Sequence, residues 1–428
     1  MQSTTRLFDG EVAELQQLCT AITDCHHSTP VWTETGKWVV RSENIKSGRI
    51  SFAPTSYTDE VTFQLRVGRS KPEPGDLIIT REAPMGEIGM IPEGTSCCLG
   101  QRLVLIKPDS RKIDAKYLLY AMQSEFVQKQ IGASDDTGST VSNLRIPHLK
   151  KLLIPLLPNQ QKVAGILSAL DAKIDLNNRI NAELEALAKI LYDYWFVQFD
   201  FPDAKGRPYK SSGGKMVWNE TLKREIPAAW EAKTLGSVIS RAGTGLNPRD
   251  NFVLGAGSNY YVTIKNVTNG RILLDDKCDR IDDESMAIID RRSQLRAGDV
   301  LFTSIEPVGV TYLIHQRPTN WNINESVFTI RPDSDVISSE YLLMLLSSSE
   351  MKAFTKNSSA GSIHKGIRHG VLKSFNLPYA DKKLIDQFSS VLRPILQKMH
   401  SISEENRELT QLRDWLLPLL MNGQVRVA

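Results

Sequence analysis

Two stretches of this chain carry the same narrow apolar seam, and that duplication constrains the fold more than any other feature. Stepping alternately by four and three from Val163 gives Leu167, Leu170, Ile174, Asn177, Asn181, Leu184, Ala188, Leu191 and Trp195. These steps predict one long helix from about Pro158 to Trp195, packed lengthwise against a partner. The same steps recur from Phe388 through Leu392, Ile395, Met399, Ile402, Asn406, Leu409, Arg413, Leu416 and Leu420, displaced by 225 positions. The chain therefore carries its own partner helix. Pro394 inside the second stretch calls for a kink or a fresh helix start.

The doubling extends upstream of both helices. The segments PGDLIITREAPMGEIGMI and AGDVLFTSIEPVGVTYLI align Gly75 with Gly298, Asp76 with Asp299, Thr80 with Thr303, Pro84 with Pro307 and Gly86 with Gly309, an offset of 223. Gly48 matches Gly270 at 222, while Pro108 matches Pro332 and Tyr117 matches Tyr341 at 224. An offset that drifts by only three residues implies two diverged copies of one globular-plus-helix unit.

Composition sets the class. The chain has 428 residues, is 41% hydrophobic and 24% charged, and carries a net charge of +3 with a pI near 8.4. That balance permits a nucleic-acid partner without demanding one, so the distribution of charge must decide. Runs such as KLLIPLLP and DWLLPLLM fall far below the roughly 20 residues of a membrane span. Met1 to Gly10 has no secretory signal pattern, so the expected location is the cytoplasm, with no membrane partner. Cys19, Cys25, Cys97, Cys98 and Cys278 are odd in number without a CxxC pair, and read as free thiols of a reducing compartment.

Each unit reads as β-rich runs followed by one amphipathic helix. In the first, WVVRSENI, LIIT (77 to 80) and LVLI (103 to 106) predict strands, and 114 to 130 predicts a helix. The loop GASDDTGSTVSNLR and a short strand in LKKLLIPLLP lead to the long helix. The second unit repeats this order with YYVTI, RILL, VLFTS and VFTI, the helix SSEYLLMLLSSSEMKAF and the loop SSAGSIHKGIRHG. Between them, Pro202 to Gly214 is rich in Gly, Pro and Ser and reads as a linker with short ordered pieces. The expected boundaries are a first domain at 1–157, a central helix at 158–199, a linker at 200–229, a second domain at 230–380 and a terminal helix at 381–428.

A helix of about 35 residues is about 50 Å long at ~1.5 Å per residue. If the two pack antiparallel, the globular units stand at opposite ends about a pseudo-twofold axis, roughly one to one-and-a-half duplex turns apart at about 34 Å per turn. That arrangement is a ruler. On the same pairing Asn177 faces Asn406, and with Asn181 these polar seam residues are expected to fix register.

The two GD-strand motifs, the GS loops preceding a strand and Pro before each long helix, and the stretch YWFVQFDFPDAKGRPYKSSGG followed by IPAAW resemble the DNA-specificity subunit of type I restriction-modification systems. The likeness covers nearly the whole chain. It implies an α+β fold with two α/β target-recognition domains related by an internal repeat and separated by two long antiparallel helices forming a coiled-coil-like spacer. It also implies a non-catalytic role in host defence, with each domain reading one half of a split duplex DNA target. The helices would dock methyltransferase subunits, expected to number two, with restriction or motor subunits as further partners. No cofactor is expected on this chain; S-adenosylmethionine belongs on the partner methyltransferase. NQQKV before the first helix is only roughly matched by DKKLI before the second, which weakens the case for a second docking site.

If the half-sites differ, the reading loops should be where the copies diverge, and SDDTGSTVSNLR is acidic where SSAGSIHKGIRH is basic. The DNA-contact candidates are Thr80, Arg81, Ser139, Thr140, Asn143 and Arg145 in the first unit. In the second they are Thr303, Ser304, His364, Lys365, Arg368 and His369. Arg reads guanine, Asn reads adenine, and both hold phosphates. For each residue singly, a surface or loop-stabilising role weighs equally. Gly75, Asp76, Gly298 and Asp299 read as turns entering strands, and Trp195, Trp230 and Trp415 as packing anchors. Cys25-His26-His27 lacks a second ligand cluster and reads as a polar loop, while PDSRK (108 to 112) reads as a turn. The rival readings are a stand-alone DNA-modifying enzyme and a coiled-coil scaffold without nucleic acid. The first lacks an Asn-Pro-Pro-aromatic motif, a GxxxxGK[ST] loop and an HExxH motif; the second leaves the duplicated heads unexplained.

Overall fold

The computed structural model describes residues 8, 10–133, 143–268, 270–358, 366–425 and 427. The chain forms two compact units, one of residues 1–176 with 406–428 and one of residues 177–405.

Unit 1 is built on a four-stranded antiparallel sheet of β1 (Cys19–Asp24), β2 (Leu77–Thr80), β3 (Ile88–Met90) and β4 (Leu103–Pro108), in the spatial order β1-β4-β2-β3. LIIT is buried at all four positions, as expected of a strand covered on both faces. A second sheet pairs Cys97–Leu99 in parallel with Lys37–Val40 and is capped by the helix Glu60–Val67. Unit 2 has its own antiparallel sheet of β5 (Ile239–Thr244), β6 (Val300–Thr303), β7 (Thr311–Leu313) and β8 (Val327–Pro332), in the order β5-β8-β6-β7. Its smaller sheet pairs Asn259–Val262 in parallel with Trp321–Ile323.

The GD motifs are turns, for a reason that the side chains make plain. Gly75 and Gly298 both take φ of +88°, open to glycine and costly for other residues. The following Asp accepts from the backbone N–H three residues earlier, Glu73 to Asp76 at 2.8 Å and Arg296 to Asp299 at 2.9 Å. Each Asp then pairs with a cation on the neighbouring strand. Asp76 meets Lys107 at 2.7 Å, and Asp299, 1% exposed, holds Arg331 through two bonds of 2.7 and 2.8 Å.

The predicted single helix in each unit is two helices. Ala115–Gln123 ends at Ser124, whose hydroxyl caps Glu125–Gly132 by accepting from the Val127 N–H. Ser348 divides Ser339–Ser347 from Ser349–Ser358 in the same way, accepting from Met351. Serine competes for backbone hydrogen bonds and so favours caps over helix interiors.

The middle helix is Gln160–Tyr192, continued by a π-helical turn at Asp193–Val197, and the terminal helix is Lys382–Met421. The terminal helix passes through Pro394 as one element rather than starting there. Within unit 1, Val163, Ala164 and Leu167 share a core with Leu420 and Met421, and Asp171 meets Arg413, so the two helices run antiparallel. Within unit 2, Asn181 bonds Ser403 at 3.2 Å while Tyr192 and Trp195 pack on Phe388, again antiparallel. Trp195, Phe196, Phe199, Phe201 and Trp230 form one aromatic core with Tyr341 and Phe388. Trp195 and Trp230 are therefore packing anchors, but Trp415 is 62% exposed and is not.

Candidate nucleic-acid interface

β2 and β6 each end in a threonine followed by a tight loop. The Thr80 hydroxyl donates to the Pro84 carbonyl and accepts from the Glu87 N–H, and Thr303 does the same with Pro307 and Val310. Both side chains are fully buried. The expectation that Thr80 and Thr303 reach DNA is corrected: their hydroxyls clasp the loop from inside and present nothing outward.

The residue after each threonine begins the rim. In unit 1, Arg81 donates to both oxygens of Asp24 at 3.1 and 2.9 Å, to the Leu144 carbonyl at 3.1 Å and to Asn143 Oδ1 at 3.2 Å. Its side chain is only 14% exposed. Asn143 donates in turn to Glu82 at 2.8 Å, so Arg81 and Asn143 are brought together as expected, but as a network that faces the protein. The Leu144 N–H closes it by bonding the Arg81 carbonyl at 3.0 Å. In unit 2, Ser304 is buried and donates to the Ser326 carbonyl at 2.8 Å, while the Ile367 N–H bonds the Ser304 carbonyl at 2.8 Å. Ser304 thus holds its loop and is likewise removed from the outer surface.

These ties fix where two short helices start. Ile146–Lys150 begins after Arg145 and His369–Lys373 after Arg368, and both arginines occupy the N-cap position and are exposed. Ser139 and Thr140, and His364 and Lys365, lie outside the described residues, in 134–142 and 359–365. Near His369, Arg292 donates to Thr244 at 3.2 Å and Arg241 to the Arg292 carbonyl at 2.7 Å. The rim of unit 2 is therefore basic where that of unit 1 is an internally paired Arg81–Asp24 network.

A profile of the type I restriction modification DNA specificity domain matches residues 29–186. The type I restriction enzyme MjaIX specificity subunit of Methanocaldococcus jannaschii is 24% identical over an alignment of 371 residues that covers 82% of this chain and 78% of that protein. The HindI specificity subunit of Haemophilus influenzae is 26% identical over an alignment of 375 residues that covers 76% of this chain and 80% of that one. Over most of its length the chain is thus similar to specificity subunits of type I restriction-modification enzymes. A solved S subunit from M. genitalium shares the fold of this chain, with a TM-score of 0.58 at 17% identity over 96% of both chains.

Two histidines of the chain sit where the sequence points, with chemistry it does not reveal. His369 packs on Phe328 with ring centroids 3.8 Å apart, and burial, reinforced by the charges of Lys373 and Arg292, holds its pKa below the ordinary imidazole value. It is a neutral packing residue at neutral pH rather than a cationic phosphate contact. His26 is lowered in the same way, by burial and then by Arg69 and Arg66. Among the described residues no group of three or more His, Cys, Asp or Glu is placed to hold a metal ion, and no helix is long and apolar enough to cross a membrane. Sequence reasoning missed Asp24 and Arg241 because each earns its place only through a neighbour on a distant element. Arg292 had a signal in the basic pair before the second GD motif.

Proposed function

We propose that this specificity subunit reads a bipartite duplex DNA target, one half with each unit, and does no chemistry of its own. The observation that carries the reading is the likeness of the two heads' frames beside the unlikeness of their rims. The sheets share one strand order, the threonine clasps and Asp turns recur, and each rim is followed by an exposed arginine at the start of a short helix. Between these shared frames the loop sequences diverge, SDDTGSTVSNLR being acidic where SSAGSIHKGIRH is basic. Backbone clamping supplies salt-dependent affinity, and a few side chains supply the sequence.

On this reading the heads are two copies, with domains at 1–157 and 230–380, and the two long helices are a spacer in which Asn177, Asn181 and Asn406 set register. Asn177 is 1% exposed and donates to Glu405 at 2.8 Å, and Asn406 is 6% exposed, the burial that a register residue requires. The helices also leave large apolar side chains outside, with Ile190 64% and Leu187 44% exposed in unit 2, and Trp415 62% and Leu412 42% in unit 1. Solvent-facing apolar residues on long helices suit docking of helical partners. Methyltransferase subunits, two in number and carrying S-adenosylmethionine, are the partners this reading assigns, with restriction or motor subunits joining through them in the cytoplasm.

The test is a swap of residues 1–157 with those of a relative, read by mapping methylated adenines across a genome. One half of the target should change and the other should stay. A change in both halves together would refute the assignment of one head to one half, and methyl transfer by the purified chain alone would refute the non-catalytic reading.

A further inference from the structure

One carboxylate near the start of the middle helix is gripped from three other elements of unit 1. Asp171 accepts from the Tyr120 hydroxyl at 2.6 Å, from Arg49 at 3.1 Å and from Arg413 at 3.0 Å. Tyr120 lies on the helix Ala115–Gln123, Arg49 on the short strand Arg49–Ile50, and Arg413 on the terminal helix. Arg49 also donates to the Asp171 carbonyl at 3.2 Å and meets Asp175, one turn further along, at 2.9 Å. Two elements of the head and both long helices thus meet at a single side chain that is 21% exposed. Hydrogen bonds of this kind are directional, so the cluster sets an angle as well as a contact.

The three matching positions in unit 2 carry apolar side chains. Leu396 stands 225 positions after Asp171, Ala188 stands 225 before Arg413, and Met344 stands 224 after Tyr120. These three residues line one cavity of about 120 Å³, together with Tyr192 and Met399 and with the polar side chains of Glu185, Lys189, His315 and His400. Apolar contact is non-directional. None of the three matching residues holds an angle as a carboxylate with three donors does.

We propose that Asp171 is a positioning residue that fixes the first head on the helix pair and thereby sets the one spacing at which a split target is accepted. The second junction ties its head to the terminal helix through separate pairs, Glu340 with Arg393 and Ser338 with Ser389, each at 2.6 Å, and not through one carboxylate gripped from three elements. This inference rests on the two-half-site reading. Partly buried ion clusters add little net stability compared with well-packed apolar side chains, yet they can specify a single arrangement. Replacing the whole cluster by the chemistry of the other junction should therefore keep the fold and lose the angle.

The experiment uses the full subunit assembled with its methyltransferase partner. Its target, read from methylated adenines, is offered with the native spacer and with spacers one base pair shorter and longer. The variants are Asp171→Asn and the triple Asp171→Leu, Arg413→Ala, Tyr120→Met, which reproduces the residues of unit 2 and guards against misfolding of the single change. Wild type should strongly prefer the native spacer, and both variants should reduce that preference at least tenfold while still requiring both half-sites. A triple variant that keeps the wild-type spacer preference overturns the proposal while leaving the bipartite reading intact. Equal weakening on all three spacers also overturns it, because that is damage to recognition and not to position. A wild type indifferent to the loss of one half-site overturns the bipartite reading and this proposal with it.

Discussion

Replacing Arg81 by Ala separates two roles that the sequence alone leaves equal, a base contact and a scaffold of the rim. The substitution removes both bonds to Asp24 and those to Leu144 and Asn143. A charge-assisted pair contributes about 1.5–3 kcal/mol and each of the other two bonds about 0.5–1.5 kcal/mol. Asp24 is 24% exposed and regains water once its partner is gone, which trims the total to about 3 kcal/mol. In a unit of about 200 residues that lowers the midpoint of unfolding by about 6–12 °C. Calorimetry on the whole chain should show the loss in one transition only. Methylation assays should show weakened use of the first half-site at every base of that half. Arg81→Lys should recover about half of the stability, since a lysine reaches Asp24 but cannot fork to Leu144 and Asn143. An unchanged midpoint with discrimination lost at a single base, by about 1–3 kcal/mol, would refute the scaffold and restore Arg81 as a direct reader.

Asp299→Ala should cost about 3–5 kcal/mol in denaturant unfolding because it strands Arg331 beside a buried turn, and Asp76→Ala should cost less, since Asp76 is 10% exposed against 1% for Asp299. His315, stacked on His400 at 4.0 Å and near Tyr312 and Glu340, is pushed down to about 4 by burial first and by His400 second. Its neutral form is the folded one, so its contribution is complete above about pH 6.5 and is lost as pH falls from there to about 4; the decline in midpoint over that window should be smaller in His315→Phe. Trp415→Glu and Ile190→Glu should each weaken assembly with the methyltransferase about thirtyfold, about 2 kcal/mol, in a pull-down titration, with circular dichroism unchanged. Arg145→Ala and Arg368→Ala should each weaken binding to all duplexes alike in gel shifts and flatten the dependence on log salt by about one unit.

What the sequence made legible was whatever periodicity or punctuation encodes locally. The four-and-three steps marked the residues that are buried along both helices, Val163, Leu167, Ile174 and Asn177 in one and Phe388, Leu392, Ile402 and Asn406 in the other. Glycine before aspartate marked two turns that only a positive φ can make. What stayed hidden depends on partners brought from far along the chain. The Asp299–Arg331 pair joins neighbouring strands, and Arg81 meets Asp24 and Asn143 from three separate segments. Thr80 and Thr303 were legible as a matched pair, but a match between copies does not say whether a hydroxyl points inward. Ile146–Lys150 and His369–Lys373 are too short to show a helical period at five residues each. Trp415 sits one step off the seam, and aromatic character alone misplaced it inside.

Comparing the copies residue by residue turns this into a way of assigning roles. If each head reads one half-site, a position alike in both cannot tell one half-site from another, so shared residues should hold the frame or the DNA backbone. Thr80 with Thr303, Asp76 with Asp299 and Ser124 with Ser348 are shared and serve the frame, as their internal hydrogen bonds require. Arg145 and Arg368 are shared too, yet both are exposed at the start of a short helix. On the two-half-site reading, exposed arginines common to both heads suit phosphate clamping, a contact that every sequence offers. Discrimination must then come from positions that differ, and at the rim these are Arg81 against Ser304 and Asn143 against Gly366. Asn143 already spends one amide hydrogen on Glu82 and one lone pair of its oxygen on Arg81. One lone pair and one amide hydrogen are left over, the set that a bidentate adenine contact uses, so on the two-half-site reading the Arg81 network would orient Asn143 without having to open.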